Sequence, residues 1–271
     1  MEFISRYKAH IPDNKGLVNY SAEENKIWSI LFERQMKLLS GRACDEFLLG
    51  LQSLELRADS IPQLPELNQR LKEKAGWQVA PVAALIPVRE FFELLAQKKF
   101  PAATFIRHED ELDYIQEPDI FHEIFGHCPM LTDPVYGKFV YDYARMVLTL
   151  PEAEWPLLQR MFWFTVEFGL IQTAKGLRVY GGGILSSISE LVYSVESDIP
   201  LRARFDPVQV LRTSHRIDIL QPLYFVIDHY QALYDFLSSN ITTLLERAKV
   251  LGDFPPLFTP VVAPDNPNIH C

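Results

Sequence analysis

Cysteine is scarce in this chain: Cys44, Cys128 and Cys271 are the only three among 271 residues, far apart and odd in number. That argues against a disulfide framework and suits reduced thiols in a cytoplasmic protein. Long apolar runs are missing as well. No stretch approaches the roughly 18 uninterrupted apolar residues of a membrane span, and MEFISRYKAH lacks the apolar core of a signal peptide. Basic residues are in deficit, with 26 Lys and Arg against 35 Asp and Glu and a net charge of −9. Nucleic acid and anionic membranes both demand a basic surface, so neither is expected as a partner. Internal repeats, low-complexity segments and linkers are absent too, which leaves one domain over residues 1–271 acting on something small.

What is present is enough apolar material for a substantial core, 48% of the chain. Most of it falls in helical patterns. Ser21 and Glu24 form a capping-box signature ahead of Ile27, Ile30, Leu31 and Leu38, and Gly41 marks a stop. Further helices are expected at 44–55, 65–74 (ending at Gly76), 88–98, 134–149, 154–174 and 229–250. Extended chain is expected after Trp77, with short strands at 103–107, 177–180 and 217–226, and 109–117 reads as a polar loop. The fold class is mainly α with a few short strands.

The chemistry begins in the run PDIFHEIFGHCPM. His122 and His127 are five residues apart, not the four that put two side chains on one face of an α-helix. On an ideal helix they would diverge by about 140°, so they can share an ion only if the helix loosens, bulges or ends between them. Gly126 tolerates the backbone of a helix end, and Pro129 opposes regular continuation. Pro118 suits the first turn of this helix, and Asp119 complements its dipole. Cys128, although next to His127, reads as a small buried filler. Forty residues beyond His127, Glu167 lies in the apolar run MFWFTVEFGLIQ. A buried carboxylate must be neutral, paired or metal-bound. Lys175 or Arg178 could pair with it; alternatively, two imidazoles and one carboxylate make a non-haem iron site with open positions. A zinc-dependent hydrolase with Glu123 as base is the rival from another reaction class. Oxoglutarate-dependent oxygenases, with H-x-D then H on a strand-rich fold, match neither the order nor the architecture.

The blocks PVAALIPVREF, FIRH, EPDIFHEIFGHCPML, FWFTVEFGL, YGGGILSSISEL and QPLYFV, in this order from Pro81 to Val226, resemble the catalytic domain of the pterin-dependent aromatic amino acid hydroxylases. The likeness is greatest to short bacterial phenylalanine 4-hydroxylases without a regulatory domain. It implies ferrous iron held by His122, His127 and Glu167, with tetrahydropterin, dioxygen and L-phenylalanine as reactants; tryptophan or tyrosine hydroxylation is the alternative within the family. It further implies that Arg107 binds the substrate carboxylate and that Asp119 orients it, although the residues alone suggest a routine surface ion pair. Pro118, Trp163 and Phe168 would wall the ring pocket, the glycines including Gly183 would admit close approach, and Ser186 would hydrogen bond His122. Phe91 would stack on the pterin, with Leu85, Ile86, Val88, Glu123 and Phe162 around it. The reacting group would be iron-bound oxygen, and no side chain is assigned as acid or base. Phe162 stands where animal enzymes carry tyrosine and Ile115 where they carry threonine, while Ile217 and Pro101 fall at positions linked to selectivity. The chain stops soon after Pro264, without the long helix that tetramerises larger members, so a monomer or homodimer is expected.

Overall fold

The computed structural model describes residues 6–83 and 86–258. Helix α1 (Ala22–Leu39) opens on the expected capping box, Ser21 Oγ accepting the Glu24 N–H while the Glu24 carboxylate accepts the Ser21 N–H. Helices α2 (Asp45–Leu54) and α3 (Leu64–Ala75) follow, the latter closed by Gly76 in the left-handed region at φ 73°. Strand β1 (Gln78–Val82) leads through α4 (Val88–Leu95) to β2 (Lys99–Ala103), and the two strands pair in parallel. The strand expected at 103–107 therefore lies earlier in the chain. Its ladder stops at Val82 opposite Ala103, and Pro101 is tolerated because a two-stranded sheet leaves one edge without need of its N–H.

A π-helix, Phe121–His127, then runs into α5 (Cys128–Leu131), and α6 (Pro134–Leu148) follows. Pro118 precedes this helical stretch instead of opening it. Pro129 does not end it either, because it sits in the first turn of α5, where its missing N–H costs little. Helix α7 (Trp155–Phe162) passes into a second π-helix, Trp163–Glu167. The helix expected across 154–174 stops there. Residues 170–179 instead form a hairpin of β3 (Leu170–Thr173) and β4 (Gly176–Val179), and this pairing overrides the apolar pattern. Beyond it come α8 (Gly182–Leu185), α9 (Ile188–Glu196), β5 (Leu201–Arg204), α10 (Pro207–Leu211) and β6 (Leu223–Ile227). The helix expected at 229–250 is two, α11 (Gln231–Ser238) and α12 (Ile241–Leu251), because Asn240 Oδ1 caps the second by accepting the Thr243 N–H. The larger sheet has the order β4-β3-β6-β5, antiparallel only at β3–β4.

The apolar side of the first π-helix is Phe121, Ile124, Phe125 and then Cys128, all buried. Phe121 stacks on Phe125 at 4.7 Å and meets Trp28 of α1 at 5.3 Å, while Phe125 meets Phe32 of α1 and Phe47 of α2 at 5.4 and 5.9 Å. Each ring buried this way contributes about 1.5–3 kcal/mol, so the turn is pinned from behind by two helices and its histidines face β2 and α8. Cys44 and Cys128 are buried free thiols. Among the described residues, no helix is long and apolar enough to cross a membrane.

Candidate functional site

The five-residue spacing is accommodated by the π-helix itself. A chain bonded from i to i+5 brings residues five apart close together on one side, and such turns recur at functional sites. His122 and His127 accordingly converge, with Nε2 to Nε2 at 3.2 Å. Gly126 serves a purpose other than ending the helix. A Cβ there would lie 2.6 Å from the Gly182 carbonyl oxygen and 3.1 Å from Ser186 Cβ, so the glycine admits α8 against the turn. Gly182 in turn accommodates the His127 ring, since its added Cβ would fall 2.3 Å from Nδ1.

Glu167, at the end of the second π-helix, places Oε2 at 3.2 Å from His127 Nε2 and 3.7 Å from His122 Nε2. Neither lysine nor arginine pairs with it: Lys175 bonds Asp45, and Arg178 donates to the carbonyls of Leu177 and Lys175. Burial alone would raise the Glu167 carboxyl, but His127, then His122 and the Gly183 N–H, outweigh it and hold the group below the ordinary carboxylate value. Burial pushes His122 down to about 4, with Glu167 opposing, so its imidazole is neutral at pH 7. Its tautomer follows from Ser186. That hydroxyl has one proton, which it donates to the Gly182 carbonyl at 2.9 Å, so at 2.9 Å from His122 Nδ1 it accepts the Nδ1–H. The Nε2 lone pair is thereby turned toward His127 and Glu167. Among the described residues, His127 Nδ1 has no partner, and Phe100 stacks on its ring at 4.8 Å.

Three donor atoms lie within reach of a single cation, two of their separations being 3.2 Å and the third, between His122 and Glu167, a little longer at 3.7 Å. Ligands about 2.1 Å from an ion stand about 3.0–3.4 Å apart in octahedral or tetrahedral arrangements. The Glu123 carboxylate also lies within 4.8 Å of both imidazoles. Glu167 is the better third donor, being nearer and held ionised, whereas burial and the charges of Glu167 and Asp119 push Glu123 well above its usual value.

Arg107 and Asp119 are not the surface pair that their sequence suggests; Asp119 is fully buried and Arg107 nearly so. Asp119 accepts from Arg107 Nε at 2.8 Å, from Nη2 at 2.9 Å and from its backbone N–H at 3.0 Å, and its other bond goes to the His122 N–H at 3.0 Å. Burial would raise the Asp119 carboxyl, but Arg107 outweighs it and holds the group below the usual range. One carboxylate thus ties the arginine to the start of the histidine turn. Trp163 and Phe168 stack at 4.3 Å, and Phe168 Cε2 and Glu167 Oε2 are each 3.0 Å from where a Gly183 side chain would begin. Pro118 is half-buried just before Asp119. Phe91 is half-buried and meets Phe162 edge-on at 5.4 Å, while Phe162 is fully enclosed with Phe92 and Tyr143 and backs Phe91. Ile86 is buried and Val88 half-buried at the start of α4, and Leu85 lies outside the described residues. Sequence reasoning missed His215 and Gln221, which hold Trp163 from loop 212–222. Neither has a spacing signal, because the loop reaches Trp163 only through tertiary folding.

Two imidazoles from one π-helical turn and a carboxylate from the other converge beside a buried arginine fork and stacked rings, and they make the donor set of a non-haem metal enzyme. The family model for biopterin-dependent aromatic amino acid hydroxylases matches residues 2–253. The phenylalanine-4-hydroxylase of Pseudomonas aeruginosa is 50% identical over 94% of this chain and 97% of its own length. That of Vibrio cholerae is 45% identical over 95% of this chain and 89% of its own. Among solved structures, phenylalanine hydroxylase from Legionella pneumophila superposes with a TM-score of 0.91 at 72% identity, covering 92% of this chain and 99% of that one. The Chromobacterium violaceum enzyme with bound Fe(III) gives 0.86 at 42% identity, over 90% and 89%. The chain belongs to the biopterin-dependent aromatic amino acid hydroxylase family, whose members are monooxygenases using non-haem iron and a tetrahydropterin.

Proposed function

We propose that this protein is a phenylalanine 4-monooxygenase, converting L-phenylalanine to L-tyrosine with dioxygen and a tetrahydropterin. The triangle of His122, His127 and Glu167 beside the buried Arg107–Asp119 fork supports this reading most directly. Iron, with the pterin as co-reductant, supplies the activation of dioxygen. His122, His127 and Glu167 hold the iron, and three protein donors leave the remaining positions to the reactants. Ser186 keeps the His122 Nε2 lone pair directed at the ion.

Arg107 has five N–H donors, of which Asp119 takes Nε–H and one on Nη2. Both Nη1 donors and one on Nη2 remain to clamp the substrate carboxylate, and Asp119 fixes their direction. Pro118, Trp163 and Phe168 wall the ring, with Gly183 giving room at the metal side. Phe91 stacks on the pterin, supported by Phe162, with Leu85, Ile86 and Val88 in the adjoining segment. Glu123, whose carboxyl is raised by burial and by the charges of Glu167 and Asp119, faces the pterin as a hydrogen-bonding group. Residues 1–271 form one catalytic domain with its core at about 81–226, acting in the cytoplasm as a monomer or homodimer without nucleic-acid or membrane partners.

The test is anaerobic reconstitution with ferrous iron, then addition of dioxygen, tetrahydropterin and phenylalanine, with chromatography of products. Tyrosine should form only with all four present. Substrate turnover without oxygen, or hydroxylation of tryptophan or tyrosine in preference to phenylalanine, overturns the proposal.

A further inference from the structure

The indole of Trp163 is held in three ways, two of them from loop 212–222. Phe168 stacks on the indole at 4.3 Å and 28°, and His215 stacks on it at 4.4 Å and 16°. Phe168 and His215 form no ring pair with each other, so they occupy opposite faces. Because Phe168 adjoins Gly183 and the Glu167 carboxylate, the order outward from the metal site is Glu167, Phe168, Trp163, His215. In the plane of the indole, Nε1–H donates to Gln221 Oε1 at 3.2 Å. The Gln221 amide cannot turn round, since its Nε2 donates to the carbonyls of Arg216 at 2.7 Å and Ile219 at 2.9 Å. Its backbone N–H is held in turn by buried Glu190 at 2.9 Å, which also accepts from Tyr224.

We propose that His215 and Gln221 are positioning residues for the aromatic pocket: they fix the plane of Trp163, and so set the space that admits a phenyl ring and disfavours a larger one. The proposal rests on the reading of Trp163 and Phe168 as pocket walls. A stacked ring restrains tilt and movement along the ring normal, and the in-plane hydrogen bond restrains rotation, so the two residues control different motions of one side chain. The identity of residue 215 is informative. A leucine would fill the volume without leaving Nδ1 unpartnered among the described residues, as His215 does. What leucine lacks is a flat face.

The experiment compares His215→Leu, which nearly keeps the volume and loses the flat ring, with His215→Phe, which keeps a flat ring of somewhat larger size. Iron-loaded protein is assayed with phenylalanine and tryptophan, measuring kcat and KM separately and the tyrosine formed per tetrahydropterin consumed. His215→Leu should lower the preference for phenylalanine by about tenfold, within the range by which apolar pockets discriminate. KM should be affected more than kcat, with fewer tyrosines per pterin and unchanged iron content. His215→Phe should restore the parent values. Gln221→Met should shift the same ratio in the same direction, and the effect of His215→Leu should disappear in a Trp163→Phe background. Parent-like preference and coupling in His215→Leu, failure of His215→Phe to restore them, or persistence of the effect without Trp163 each overturns the proposal. A parent enzyme that makes no tyrosine instead sinks the functional reading itself.

Discussion

The π-helical turn Phe121–His127 contributes two imidazoles to the candidate site and is braced from behind by Trp28, Phe32 and Phe47, so its neighbours are core. The turn Trp163–Glu167 contributes one carboxylate, and its neighbours are the pocket: Trp163 begins it and Phe168 follows it. Their polar supports differ in the same way. In the first turn Asp119 accepts the His122 N–H and Ser186 the His122 Nδ1–H, so both bonds act on a ligand-bearing residue. In the second, Thr165 Oγ1 bonds back to the Met161 carbonyl at 2.6 Å, a bond that bends helices, and Gln221 holds Trp163. The first turn therefore sets metal geometry, and the second couples the metal to the shape of the ring pocket.

Damage to the first turn should release iron without changing substrate preference. The largest effect is expected from His127→Ala, with tyrosine formation falling more than about 100-fold, beyond the loss typical when only an outer partner of a ligand is removed. Added ferrous iron should raise the melting temperature of the parent and leave this variant unmoved, because a ligand stabilises only a state that binds it. Equal iron content in the two proteins would break the comparison at its base. Next in size is Gly126→Ala. The new Cβ, 2.6 Å from the Gly182 carbonyl, must displace α8 and with it Ser186. Overpacking of this kind costs about 1–3 kcal/mol, readable as a lower denaturant midpoint, and iron should bind more weakly in parallel.

The two turns also differ in how much of them shows in the sequence. The first announces itself, because two histidines at i and i+5 beside an apolar set at i, i+3, i+4 and i+7 demand a departure from α geometry, although not which one. A single carboxylate has no spacing to read. Glu167 stands out only through the apolar run around it, and the same run invites a continuous helix where the chain in fact turns into β3. Gly126 and Gly182 were legible as small residues but not as two halves of one contact, since Gly182 lies 56 residues further along the chain. The buried state of Arg107 and Asp119 was hidden for a similar reason: charge in a sequence says nothing of what covers it.

Smaller effects probe the link between turn and pocket. Arg107→Lys keeps the charge but loses the planar fork, so KM for phenylalanine should rise about tenfold, or about 1.4 kcal/mol, with iron content and kcat much less altered. Loss of iron in that variant would show that Arg107 acts through Asp119 on the first turn instead. The finest distinction is in acid sensitivity. Burial, and then Arg160, pushes His215 down to about 4, whereas in the unfolded chain a histidine titrates near 6.5. Between those values the unfolded state binds a proton that the folded state refuses, so this group's contribution to stability falls as pH drops from about 6.5 to about 4. His122 is depressed by burial too, and its protonation also releases iron, so the contribution of His215 is read as the difference between the parent and His215→Phe at the same iron loading. Urea midpoints at pH 7 and pH 5 should therefore differ more in the parent than in His215→Phe, and equal differences would place the acid sensitivity elsewhere.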